Sequence, residues 1–337
     1  MKWLTTILSG FMVATIFCVS AAVAQDVKYA NILDGEAVRQ GVQLVPCPPD
    51  TTGCLGKIVP KIINGKSAGV GMFPWVVSIG SSGAQSFLGH ECGGTLITDR
   101  FILTAAHCFL DSARPEDFRV QMGTVTLSKY TDKPAVRRIL FQKNFNRATN
   151  EADIALLELI APVVKSPEVF WIGLQDRQSF NNSGHETASP RIKYTLTGFG
   201  FIATGDLPVQ LQYADDIPSL TTPECHAIKI WNKTIMADTL KPDMICAGDT
   251  SNVEGSDACK GDSGGGLIFT KDGTNLVAGV VSRGALPDGS LDCTQQPLRV
   301  GVYTRVSAYA AEIEKCVNGT EPCSFVPPGE QDFAVQN

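Results

Sequence analysis

Charge is scarce in this 337-residue sequence: only 18% of residues are Asp, Glu, Lys or Arg, and they sum to −6. A chain without a basic excess lacks the face that general nucleic-acid binding needs, so no nucleic-acid partner is expected. Histidine is scarcer still, with four in all, and no CxxC pair or HExxH string occurs. The common zinc frameworks are therefore excluded, and neither a metal nor a cofactor is expected. Long apolar runs are absent after the first two dozen residues, so no membrane span is expected beyond that point. What is present is 44% hydrophobic residues, enough for a real core, with 32 Gly and 19 Pro to supply turns. Length and turn content fit an all-β protein, either one large unit or two barrel-like halves.

The N-terminus carries its own signal. Met1-Lys2 gives a positive charge, an apolar stretch runs from Leu4 to about Val19, and small residues close it at Ala22-Val23-Ala24. That order is a secretory signal peptide over 1–24, cut before Gln25, and it predicts an extracellular protein. An uncleaved anchor is the competing reading, weakened by Thr5, Thr6, Ser9, Gly10 and Thr15 within the run. Of eleven Cys, Cys18 leaves with the leader and ten remain, at 47, 54, 92, 108, 225, 246, 259, 293, 316 and 323. An even number in a secreted chain reads as a disulfide framework. Asn181, Asn232 and Asn318 open N-x-S/T strings and are candidate glycosylation acceptors.

Residues 25–61 differ in character from the remainder of the chain. Pro46, Pro48, Pro49 and Pro60 crowd a tight Cys47 to Cys54 loop, which suits a propeptide. From Ile62 onward, short β-branched or aromatic runs alternate with turn residues, for example 75–79, 95–97, 118–122, 154–159 and 276–282. One convincing helix spans Val306 to Val317, with Val306, Tyr309, Ala310, Ile313 and Cys316 at helical spacing. The tail over 318–337 is expected to be loose after Cys323.

The strongest chemical string is Asp257-Ala-Cys-Lys-Gly-Asp-Ser263-Gly-Gly-Gly266. A serine hydroxyl needs a base to take its proton and donors to stabilise the resulting oxyanion. Glycines beside Ser263 allow close substrate approach, and the N–H groups of Gly261 and Ser263 could converge on one oxygen. Taken alone, such a string is often a plain turn. Leu103-Thr-Ala-Ala-His107-Cys108 puts a histidine beside a cysteine that could fix its backbone. Asp153 is a charge opening the apolar run 154–159, placed as an acid that could orient a histidine. Each has a bland structural reading, but together they run His, Asp, Ser. That order differs from subtilisins and α/β-hydrolases.

With these motifs the stretch 62–317 resembles a chymotrypsin/trypsin-family serine endopeptidase. The resemblance rests on Ile62-Ile-Asn-Gly65, Ala105-Ala-His107-Cys108, Asp153-Ile-Ala-Leu, Thr197-Gly-Phe-Gly200, Gly261-Asp-Ser-Gly-Gly265 and Gly301-Val-Tyr-Thr304. It implies two antiparallel Greek-key β-barrels with the site between them and a C-terminal α-helix. It implies His107 as general base, Asp153 as its orienter, Ser263 as nucleophile, and an oxyanion hole from Gly261 and Ser263. Asp257 falls where the family keeps the residue that sets primary specificity, which favours substrates with Lys or Arg at the cut. Ser282, Arg283, Gly284 and Gly301 would line the substrate cleft. Lys61–Ile62 would be the activation cut, after which the Ile62 amine pairs with Asp262. A similar protease, or this one, could make that cut, and a protein inhibitor is a further expected partner. Implied disulfides are Cys92–Cys108, Cys225–Cys246 and Cys259–Cys293. Cys47, Cys54, Cys316 and Cys323 are left either as local pairs or as cross-pairs tethering the propeptide.

The sequence also departs from the family. Tyr194 and Phe269 replace one frequent bridge and could pack as an aromatic pair. Arg283 stands where most relatives have a cleft tryptophan, the segment 285–292 is long, and Thr124 replaces a calcium-binding acid. A catalytically silent binding protein on the same fold is the competing function, opposed by the presence of His107, Asp153 and Ser263. An esterase or lipase fails on the order of the three residues and on the missing G-x-S-x-G elbow.

Overall fold

A computed structural model describes residue 62 and residues 65–81, 89–127, 135–176, 191–200, 210–230, 233–234, 240–250, 255–284, 299–320 and 322–331. The chain divides into Met1–Ile58 and Val59–Asn337, and every described residue lies in the second unit. The expectations for the leader, the propeptide, Lys61, Cys47, Cys54, Cys293, the Asn181 and Asn232 acceptors and the 285–292 segment fall outside the described residues.

Short β-branched and aromatic runs become strands, as their composition requires. In chain order these are β1 (Lys66–Ser67), β2 (Val76–Ser81), β3 (His90–Leu96), β4 (Phe101–Thr104), β5 (Phe118–Met122), β6 (Val136–Gln142) and β7 (Ala155–Leu159). They continue as β8 (Gly173–Leu174), β9 (Lys193–Gly198), β10 (Gln212–Leu220), β11 (Lys229–Ile230), β12 (Lys233–Thr234), β13 (Met244–Asp249), β14 (Gly266–Lys271), β15 (Thr274–Gly284), β16 (Arg299–Arg305) and β17 (Phe325–Val326). The first half forms an antiparallel sheet in the order β17-β6-β7-β4-β3-β2-β5. The second half runs β10-β13-β16-β15-β14-β9, and pairing of β9 with β10 closes it into a barrel.

Each half fills its own interior. Val77, Ile79, Leu96, Ile102, Phe141 and Leu156 pack in the first. Tyr194, Leu196, Ile245, Leu267 and Tyr303 pack in the second, together with Ile62. Burying one such side chain stabilises the fold by roughly 1.5–3 kcal/mol. Tyr194 and Phe269 face each other across β9 and β14 and meet edge to face at 6.5 Å, the aromatic pair expected in place of a disulfide. Cys92–Cys108 and Cys225–Cys246 are bridged. Cys259 is also disulfide-bonded, and its expected partner Cys293 lies outside the described residues.

Helix α1 (Thr222–His226) escaped the sequence reading. Its signal is the capping box, in which Thr221 and Glu224 satisfy each other's N–H groups, with Pro223 in the first turn. Helix α2 spans Val306–Val317, as the sequence predicts, and buries Val306, Ala310, Ile313 and Cys316. Over the described residues 322–331 the tail beyond it is packed, not loose. A Cys316–Cys323 disulfide turns the chain back, and β17 adds to the edge of β6 with Phe325 opposite Gln142. Phe325 and Gln331 are buried. A two-residue strand carries no periodicity, so this edge pairing left no pattern to read. Local pairing of Cys316 with Cys323 also removes both from any tether to the propeptide. The Asn318 acceptor is exposed in the bridged turn. Among the described residues, no helix is long and apolar enough to cross a membrane.

Candidate active site

At the end of β4 the chain enters a single 3-10 turn, Ala106–Cys108, which carries His107. The Cys108 bridge to β3 fixes this turn. Asp153 comes from the approach to β7, after Asn150 and Ala152, both at positive φ (54° and 52°). Such a conformation is costly for a residue with a Cβ and persists where neighbours enforce it. Asp243 supplies one enforcing contact, since its Oδ2 accepts the Ala152 N–H at 3.2 Å. The same oxygen accepts from Tyr309 Oη at 2.6 Å.

The Asp153 side chain is wholly buried. Its Oδ1 accepts the His107 backbone N–H at 2.9 Å, and its Oδ2 faces His107 Nδ1 at 2.7 Å. A carboxylate only accepts, so the proton of this pair sits on Nδ1 and leaves Nε2 available as a base. Ser282 Oγ donates to Asp153 Oδ2 at 2.5 Å, and Thr304 Oγ1 donates to the Asp153 carbonyl at 2.7 Å. Ser282 lies on β15 and Thr304 on β16, so the acid of the first sheet is held by the second barrel. Burial disfavours a charged His107, but the charge and hydrogen bond of Asp153 outweigh it. The imidazole pKa is left above its ordinary value, with Arg147 opposing.

Ser263 sits in the turn between Cys259 and Gly265. The N–H of Asp262 donates to Cys259 O, that of Gly264 to Val281 O, and that of Gly265 to Asp262 O. The N–H groups of Gly261 and Ser263 have no acceptor among the described residues. A Cβ on Gly264 would lie 2.2 Å from Thr104 Oγ1 and 3.1 Å from the Ala105 nitrogen, with φ at +80°. Only glycine lets this loop pack onto the junction that leads to His107. No hydrogen bond joins the Ser263 hydroxyl to His107 in this structure; the segments that carry them touch.

His90 is a site residue that the sequence reading missed. It is buried, with Nδ1 2.6 Å from Ser78 Oγ and Nε2 2.9 Å from Gly261 O. Burial pushes its pKa down to about 4. The neutral ring donates to the carbonyl and accepts from the serine, which fixes the Gly261 peptide. The available clue was a His two places before a bridged Cys, in a chain with four His.

Asp257 and Asp262 are both buried. Burial pushes Asp257 up to about 7, against the Ala258 N–H and the charge of Arg299. Its Oδ1 takes the Ala258 N–H, whereas Oδ2 is buried with no hydrogen-bond partner. Burial likewise raises Asp262 to about 6, although its oxygens accept the N–H groups of Gly200 and Cys259, each at 2.8 Å. Gly284 and Gly301 are cross-strand neighbours, and a Cβ on Gly301 would meet Tyr303 Oη at 2.7 Å. Ser282, expected to line the substrate cleft, donates its hydroxyl to Asp153 Oδ2. Arg283 reaches across to Thr149, donating from Nη1 to the carbonyl at 2.9 Å. The one trio of metal-type ligands among the described residues is Cys92, His107 and Cys108, and its two sulfurs are spent in a disulfide.

A sequence model of the family described as Trypsin matches residues 62–313. A transmembrane protease serine 11C of Mus musculus is 32% identical over 251 residues, 74% of this chain and 52% of that protein. A tryptase of Mus musculus is 34% identical over 254 residues, 74% of this chain and 85% of that protein. The matched stretch thus spans about half the length of the first relative and most of the second.

Proposed function

The chain belongs to the trypsin family of serine proteases, and for it we propose a secreted endopeptidase that cuts after Lys or Arg once its own Lys61–Ile62 bond is opened. Ser263 Oγ attacks the substrate carbonyl while His107 Nε2 takes its proton. Asp153 holds the ring in the Nδ1–H tautomer and stabilises the imidazolium. The charge that develops on the carbonyl oxygen meets the N–H groups of Gly261 and Ser263, and donors of this kind are worth roughly 3–4 kcal/mol each. His107 then returns the proton to the leaving amine, and water hydrolyses the acyl-enzyme by the same route in reverse.

The observation that carries the specificity is Asp257: a buried carboxylate with one oxygen unpaired. Such an oxygen is costly unless a donor arrives, and a Lys or Arg side chain supplies both donor and charge. Activation is read from Ile62 and Asp262. The Ile62 side chain is already buried in the second barrel, while no side-chain cation pairs with Asp262 among the described residues. A cut before Ile62 creates an α-ammonium beside that buried position, and its pairing with Asp262 would order the turn that bears Ser263. The expected partners are a protein or peptide substrate, a protease that cuts after Lys61 (another copy of this chain included), and a protein inhibitor.

The test is hydrolysis of matched fluorogenic peptides ending in Arg, Lys, Phe or Ala by protein whose new N-terminus is verified as Ile62. Turnover of the Arg and Lys peptides alone supports the reading. Preference for Phe or Ala overturns the role of Asp257.

A further inference from the structure

We propose that Glu91 on β3 makes this site favour substrates with a Lys or Arg just downstream of the cut, a refinement that rests on the proteolytic reading above. Strand β3 runs along the turn that bears Ser263. Its Gly93 N–H donates to the Ser263 carbonyl at 2.7 Å, and a Cβ on Gly93 would lie 3.0 Å from Gly265 Cα. Further back on the strand, His90 Nε2 lies 2.9 Å from the Gly261 carbonyl oxygen. Glu91 falls between those two contacts. Pairing of β2 with β3 steps from Ile79–Cys92 to Gly80–His90, which leaves Glu91 as a bulge residue without a partner across the ladder. Bulges re-aim side chains beside active sites, and Glu91 is the one exposed residue of a strand that is otherwise buried.

Which half of a substrate passes this point follows from the two sheets. In the reading above, the residue before the cut is anchored at Asp257, in the second half of the chain, while the leaving amine takes its proton from His107, in the first. Strand β3 belongs to the first sheet and is bridged to the His107 turn by Cys92–Cys108. The chain beyond the cut therefore leaves along β3, past Glu91. The carboxylate there has capacity for a cation. Part of its surface is open, yet enough is shielded that burial raises its pKa above the ordinary value, opposed by a hydrogen bond with Ser81. No cation among the described residues pairs with it. A carboxylate offers about four acceptor sites, so the Ser81 contact leaves room for an ammonium or guanidinium. The adjacent His90 is held neutral by burial, with a pKa of about 4, so it neither neutralises Glu91 nor repels an incoming cation. An acidic residue beyond the cut meets a like charge instead.

The experiment uses full-length protein cut at Lys61–Ile62 and peptides with an internal Arg, matched except for Lys, Gln or Glu at each of the first three positions beyond that Arg. The peptides compete in one mixture, and products are identified by mass so that only cleavage after the shared Arg is counted. The Lys peptide should exceed its Gln partner in kcat/KM by about two- to fivefold at one position, and Glu should fall below Gln there. The ratio should shrink towards one at high salt. In Glu91→Gln it should collapse to about one, and in Glu91→Lys it should invert. A ratio is independent of how much variant protein is active. A Lys-to-Gln ratio of one at all three positions in the wild type, with the Gln peptides cleaved, overturns this inference alone. So does a ratio unchanged in Glu91→Gln. Failure of the wild type to cleave any peptide overturns the proteolytic reading and this inference with it.

Discussion

Ser282 Oγ and Asp153 Oδ2 lie 2.5 Å apart, and that oxygen also faces His107 Nδ1 at 2.7 Å. The buried carboxylate thus shares one oxygen between the second barrel and the imidazole. Ser282→Ala removes a donor without removing the acid, so Asp153 is left to lean more heavily on a protonated His107. The acid limb of the kcat/KM profile should move to higher pH, and stability should fall by about 1–2 kcal/mol. An unmoved limb would show that the serine acts only in packing.

A second contact from outside the site sets the same acid. Asp243 takes the Ala152 N–H and the Tyr309 hydroxyl, next to a residue at positive φ. Asp243→Ala should lower kcat by about ten- to hundredfold with little change in KM, because a small displacement of Asp153 spoils alignment. Asp243→Asn, which keeps an acceptor, should restore most of the loss. Equal losses in both variants would mean that charge, and not positioning, matters at Asp243.

The pH dependence comes from two groups. In the proposed mechanism His107 acts as a base only when neutral, and its pKa stands above the ordinary value. The proposed grip of Asp257 on a substrate cation needs the carboxylate ionised, and burial raises it to about 7. Activity on Arg peptides should therefore climb with pH through both titrations and fall away on the acid side. Stability runs the other way. An acid whose pKa is raised on folding contributes stability below its unfolded value that is lost as pH rises through its folded value. For Asp257, raised from 3.8 to about 7, roughly 4 kcal/mol is withdrawn above neutrality. Asp257→Asn should melt higher than wild type in alkaline buffer and lose its discrimination for Arg and Lys. An unchanged melting point there would contradict the role of burial.

Much of this site is local in the sequence, and that is why it could be read. His107 beside Cys108, Asp153 before an apolar run and Ser263 among glycines each carry a string set by local chemistry. The helix at Val306–Val317 advertises itself by its spacing. What could not be read depends on contacts between distant residues. His90, held by Ser78, meets the Gly261 carbonyl across 171 positions, and nothing near His90 announces a carbonyl partner. Ser282 was expected in the substrate cleft from its place in the string, and its hydroxyl turns to an acid 129 residues away. Asp243 and Tyr309 look like ordinary surface residues until Asp243 takes both the Ala152 N–H and the Tyr309 hydroxyl. The Phe325–Val326 strand is visible only once the edge of β6 exists to receive it.

That strand supports a stability prediction. The Cys316–Cys323 bridge closes a short loop and presents Phe325 to β6. Replacing both cysteines with serine should cost about 2–3 kcal/mol, measured by denaturant unfolding. Removing residues 323–337 should cost a comparable amount by exposing the edge of β6 and the Phe325 site. A loss near zero in the truncated chain would return the tail to the loose segment that the sequence suggested.

The most direct measurement is the rate at which an Arg-ending peptide is hydrolysed by the intact chain and again after a verified cut at Lys61–Ile62, with Asp262→Asn as the companion variant. Activation through the Ile62–Asp262 pair predicts a near-silent precursor, at least a hundredfold increase upon cutting (about 2.7 kcal/mol or more of transition-state stabilisation), and little increase in Asp262→Asn. An intact chain as active as the cut one, or a correctly cut chain with no activity, would contradict it.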